Sequence, residues 1–158
     1  MTSTIQPKNI DYDAIFTGLL EQANQNFDVL VDLSRFTAAE ALRDLATVGI
    51  STQRQSGRST WAVQQVVKHN ALMVTTNELV AKHWRQQVPE HYKPQIITMR
   101  DLGRVMKAKL PAPTPTGWHP WVILDESRYI FEWVGFRDFY KWLGSNPNWR
   151  NTRVFTLN

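Results

Sequence analysis

Apolar residues recur at helical spacing from Ile10 to about Leu33, at Ile15, Leu19 and Leu20 and again at Phe27, Leu30 and Val31. That pattern predicts one long helix. A second stripe (Ala41, Leu42, Leu45) follows Thr37 and Glu40, whose spacing is that of a capping box and marks the start of a second helix. Residues 1–9 carry no period and read as a tail. Beyond Thr47 the pattern changes. "TVGIST" is a short β-type run, and "STWAVQQVVKHN" returns to helical spacing at Val63, Val66 and Val67. "ALMVTT" is a continuous apolar strand, followed by a helix over "NELVAKHWRQQV" with Asn77 as its N-cap. "QIITM" predicts another strand and "RDLGRVMKAKL" a short helix. "PAPTPTGWHP", residues 111–120, is too rich in proline for regular structure. "WVILDES" reads as a buried strand ending in two acids, "FRDFYKWLGS" as a helix and "TRVFTLN" as a closing strand.

Strands that alternate with helices at this spacing form βαβ units, so the fold class is α/β with a mostly parallel five-stranded sheet. The unbroken apolar character of "ALMV" and "WVIL" fits strands covered on both faces. Residues 1–45 form a helical extension and 46–158 the sheet-bearing core. In such sheets ligands bind at the carboxyl ends of the strands. The stretch after "TVGI", the turn "TTNE", the acids of "LDES" and the final Asn158 all fall at such ends.

Composition narrows the field without choosing a function. The 158 residues suit one domain with a real core, and 42% hydrophobic against 20% charged residues is a globular balance. No apolar run approaches the roughly 18–20 residues that span a bilayer, and the first residues lack a secretory pattern. Cysteine is absent, which excludes disulfides, thiolate metal sites and a cysteine nucleophile and points to a reducing, cytoplasmic interior. The four histidines (His69, His83, His91, His119) have no metal-ligand spacing. The net charge of +4 admits a polyanionic partner. Seven tryptophans are either core or, where exposed beside arginine and lysine, platforms for single-stranded bases. Lys82, Arg85, Arg100 and Arg104 are the basic residues placed for such contacts; a solvated helix face is the better reading of Lys82 and Arg85 and an equally good one of Arg100 and Arg104.

The stretch with most chemistry is "STQRQSGRSTW", Ser51 to Trp61. A strand that runs through a tight loop into a helix aims several backbone N–H groups at one point, where the helix dipole favours an anion. Gly57 admits close approach of a phosphate, Ser59 and Thr60 offer hydroxyls, and Arg58 brings charge. Taken alone, such a stretch is more often a polar loop capping a helix. The acids of "WVILDES" change the balance. Asp125 at a strand end can hold magnesium and Glu126 can orient or deprotonate an attacking water, the other reading being acids that complement a helix dipole.

Together, loop and acid pair resemble the ASCE division of P-loop NTPases, and within it the RecA-like core of superfamily 2 helicases and phage terminase large subunits. "RQSGRST" matches a terminase loop of the form R-Q-x-G-K-[ST]-T except at Arg58. "ALMVTTNELVAKHW" and "IITMRDLGRV" resemble the next helicase segments, "VILDES" the Walker B element and "RVFTLN" the sensor strand. The resemblance covers about residues 46–158. It implies a three-layer fold with the sensor strand between the strands of the loop and the acids. It also implies a phosphate cradle of Gln53, Arg54, Gln55, Ser56, Gly57, Arg58, Ser59 and Thr60. Magnesium would be held by Ser59 and Asp125, with Glu126 as base, Arg58 on the β/γ-phosphates, Arg54 as an arginine finger and Thr156 or Asn158 as sensor. The implied ligand is ATP or another NTP with Mg²⁺. DNA or RNA, further copies of the chain, or a motor or host protein are the implied partners, in a host cytoplasm if the chain is phage-encoded. Three departures stand out: Arg58 for the lysine, Thr52 for the first glycine, and no second lobe or nuclease domain after Asn158. The expectation is slow ATP hydrolysis, the alternative a pseudo-ATPase that binds nucleic acid or protein.

Overall fold

The computed structural model describes residues 10–25, 27–52, 57–108 and 118–158. Five strands run β1 (Thr47–Ile50), β2 (Leu72–Thr75), β3 (Ile96–Thr98), β4 (Trp121–Asp125) and β5 (Arg153–Leu157). They form one sheet in the order β1-β5-β4-β2-β3, and every pair is parallel. The last strand therefore lies between the first and the fourth, as the resemblance implied.

Strand side chains alternate between two apolar layers, as the pleat requires. Leu72, Val74, Val122, Leu124 and Val154 bury one way, and Met73, Ile123, Phe155 and Leu157 the other. Helices α4 (Arg58–Lys68) and α5 (Glu78–Arg85) cover the second layer through Trp61, Ala62, Val66 and Ala81. Helices α6 (Met99–Lys107), α7 (Ser127–Val134) and α8 (Phe136–Gly144) cover the first through Leu102, Ile130, Phe139 and Leu143. The result is a three-layer α/β fold, compatible with a RecA-like core.

The extension differs from expectation. Where one long helix was predicted, the chain forms α1 (Tyr12–Gln25) and α2 (Phe27–Ser34), followed by α3 (Ala38–Leu45). The reason is where the stripes bury. Tyr12 and Phe16 pack with Trp61 and Phe155 on the α4 side, whereas Phe27 and Val31 pack with Leu42 and Phe139 on the opposite side. One straight helix cannot serve both faces of a sheet, so α1 and α2 pack into opposite layers. The ring of Phe16 stacks on Trp61 at 4.2 Å between centroids, which makes the extension part of the core.

Local signals set the helix starts. Thr37 and Glu40 form the expected capping box, and Thr98 with Asp101 forms another at α6. Asn77 Oδ1 accepts from the backbone N–H of Val80. The proline-rich expectation for residues 111–117 lies outside the described residues. Among the described residues no helix is long and apolar enough to cross a membrane.

Candidate functional site

The carboxyl ends of β1, β5 and β4 and the start of α4 meet in one place. Gly57 occupies the N-cap position of α4 with φ 84° and, as glycine, supplies no capping side chain of its own. A residue with a Cβ is disfavoured in that left-handed backbone, and glycine adds no side chain of its own over the first N–H groups of the helix. Gln53, Arg54, Gln55 and Ser56, expected to complete the cradle, lie outside the described residues.

Ser59 sits in the first turn of α4, half-buried, and its Oγ–H donates to Asp125 Oδ1 at 3.1 Å. Asp125 ends β4 and is only 5% exposed. Burial pushes its carboxyl above the ordinary aspartate value, and the Ser59 hydrogen bond and the Arg58 charge offset this only in part. Thr60 is exposed on the outer side of the same turn, away from this pair. Ser59 and Asp125 are the groups that could hold a hard cation. Among the described residues no cluster of three or more histidine or acidic side chains gathers.

Arg58 is buried at 7% exposure. Its Nη1 donates to the carbonyl of Thr52 at 3.0 Å and its Nη2 to Glu126 Oε1 at 2.5 Å. Glu126 stands at the N-cap position of α7 but does not cap it. Its backbone is left-handed (φ 62°, ψ 52°), and the side chain turns to Arg58 instead. Asn158 holds this turn from the other side, its Oδ1 accepting from Ser127 Oγ at 2.9 Å and from the backbone N–H of Arg128 at 3.1 Å. The N–H of Thr52 donates in turn to the Asn158 carbonyl. A closed circuit results: Thr52 to Arg58, Arg58 to Glu126, the acid turn to Asn158, and Asn158 back to Thr52. Tyr12 of α1 donates its hydroxyl to Thr52 Oγ1 at 3.2 Å and ties the extension to the same circuit.

Of the two sensor candidates, Asn158 joins the site and Thr156 does not. Thr156 faces β1, where its Oγ1 lies 2.7 Å from where a Cβ on Gly49 would be, so its contact is with the edge strand. The basic residues expected at nucleic acid also divide. Arg85 is spent inside the fold, on the Ile96 carbonyl and on Glu78. Arg104 pairs loosely with Asp101 at 3.5 Å on an exposed face, and Lys82 and Arg100 are exposed. The tryptophans are mainly structural, with Trp61 and Trp142 buried and Trp133 alone clearly exposed.

Sequence reasoning missed three features. Thr52, in the sequence a substitute for glycine, anchors two members of the circuit through its backbone. Ser127 and Arg128 went unnoticed because their role is to present hydrogens to Asn158, which no local pattern announces. The third is an open cleft of about 890 Å³ beside the acids. Ser59, Asp125 and Glu126 line one end, and Leu79, Trp84, Met99 and Tyr129 supply an apolar wall. Beside it the segment "RYIFEWVGF" runs through α7 to the start of α8, with Ile130 buried but Tyr129, Trp133 and Phe136 at least 45% exposed.

No family model, curated protein or solved structure matches the chain. The fold rests on the strand order and the layers described above.

Proposed function

We propose that this protein binds a nucleoside triphosphate with Mg²⁺ at the carboxyl ends of β1 and β4, as a P-loop NTPase of the ASCE division does. The observation that carries the reading is the Ser59–Asp125 contact, which joins a hydroxyl at a helix start to a buried acid at a strand end. One carboxylate and one hydroxyl fit magnesium, which keeps several waters and takes its remaining ligands from phosphate oxygens. The N–H groups after Gly57 and the α4 dipole favour the phosphates. Magnesium, when bound, would draw charge from the phosphate oxygens. Glu126 is the group nearest to serve as base, and ATP is the ligand to test first.

A second reading has its own support. Arg58 stands where the resemblance wants a lysine, and it is engaged with Glu126 and Thr52 rather than turned to the ligand. That arrangement favours a protein that binds nucleotide without hydrolysing it, acting as a module on nucleic acid or on another protein. Calorimetric titration with ATP, with and without magnesium, followed by a turnover assay separates the readings. Binding with turnover that Glu126→Gln abolishes supports the ATPase; binding without turnover supports the module. No magnesium-dependent binding of any NTP would rule out both. Lys82 and Arg100 are the residues to change if single-stranded DNA or RNA binds in a salt-dependent way.

A further inference from the structure

Among the described residues, Arg58 and Glu126 form the only link in the circuit between two charged side chains. Every other link uses backbone or a neutral amide or hydroxyl. We infer that this pair is a latch: Arg58 holds Glu126 away from a ligand in the free protein, and a bound phosphate opens the latch by taking the guanidinium for itself. The inference rests on the nucleotide reading proposed above and adds its regulation.

Three observations carry it. Arg58 is buried, and its planar guanidinium is divided between two acceptors on different strand ends, so it cannot also face a phosphate in the same pose. Glu126 already lines the cleft and remains 39% exposed at its side chain, so its carboxylate has room to move deeper into the cleft once released. Its left-handed backbone is uncommon outside glycine and is fixed from behind by Asn158, so release moves the side chain and leaves the turn in place. A phosphate carries more negative charge than a carboxylate and offers arginine the same forked geometry, so it competes directly for Arg58. The latch lowers apparent affinity, because only the fraction of molecules with Arg58 released can take the ligand.

The test is a cycle of MgATP affinities measured by calorimetry on the full chain. Glu126→Gln keeps the shape of the side chain and removes its charge, and should tighten binding by about tenfold if the latched form dominates. Loss of a negative charge near phosphates could tighten binding without any latch, so the same change is made in an Arg58→Met background. The latch predicts that the gain disappears there; an equal gain in both backgrounds, or none in either, overturns it while leaving nucleotide binding intact. If neither the wild type nor Glu126→Gln binds MgATP, the latch and the nucleotide reading fall together. Should Arg58→Met not fold, nitrogen-15 NMR of the Arg58 side chain decides. MgATP must shift its signals and speed their solvent exchange, and signals unchanged at saturating MgATP overturn the latch.

Discussion

The Ser59 hydroxyl meets the Asp125 carboxylate although 66 positions separate them in the chain, because α4 begins beside the end of β4. The pair couples function to stability in opposite directions. Asp125→Asn should weaken magnesium-dependent ATP binding by about tenfold or more, the scale of losing a charged hydrogen-bonding partner. The same change should not lower the melting temperature, since burial already disfavours the charged form of Asp125. Calorimetry with and without magnesium, alongside a thermal melt, checks both halves.

Gly49 and Thr156 make a second pair across β1 and β5. Gly49→Ala would place its Cβ 2.7 Å from Thr156 Oγ1 and should cost about 1–3 kcal/mol in denaturant unfolding, as overpacking does. Thr156→Ala removes the obstructing atom and should recover most of that loss. If it does not, the constraint on Gly49 lies elsewhere.

The left-handed backbone at Gly57 leads to a different expectation. Among the described residues nothing lies within 4 Å of a Cβ there, so Gly57→Ala should cost the backbone strain, about 1–2 kcal/mol. Asparagine, which tolerates this conformation, should be milder than alanine. A loss for Asn as large as for Ala, read from chemical denaturation, would contradict that order.

Folding stability should fall in mild acid. His119 is buried, and its Nδ1–H donates to the Asn70 carbonyl at 2.7 Å. Burial holds its pKa below the ordinary 6.5, so the folded state prefers the neutral ring. The unfolded chain then binds the proton more readily, and the stability this lends is complete above 6.5 and is lost as pH falls from there towards the folded value. His69, stacked on Trp121, is shifted the same way, again chiefly by burial. Denaturation between about pH 7.5 and 5.5 should show this slope. His119→Phe should flatten it without abolishing it.

The two ends of the extension should be independent. Phe16 and Phe27 are each 2% exposed but belong to opposite layers. Truncation of either to alanine should cost about 3–5 kcal/mol, and the two costs should add if the double variant still folds. Strong coupling between them would mean that the layers are not separate.

By itself the sequence determined the element types and the strands on which chemistry could sit. Period, capping residues and apolar runs are local, and they placed Asn77, the Thr37–Glu40 box, the five strands and the acids at the end of β4. It could not show that Ile10 to Leu33 makes two helices, because one apolar stripe looks the same whether it buries on one layer or two. Nor could it show that Arg58 faces Glu126, that Asn158 rather than Thr156 joins the site, or that Arg85 is spent on Ile96 and Glu78. The first two were decided by the parallel order β1-β5-β4, which brings the ends of three distant strands together, and the partners of Arg85 by the packing of α5 beside β3. A side chain's partner is fixed by what stands across from it in space, and only the packed sheet supplies that.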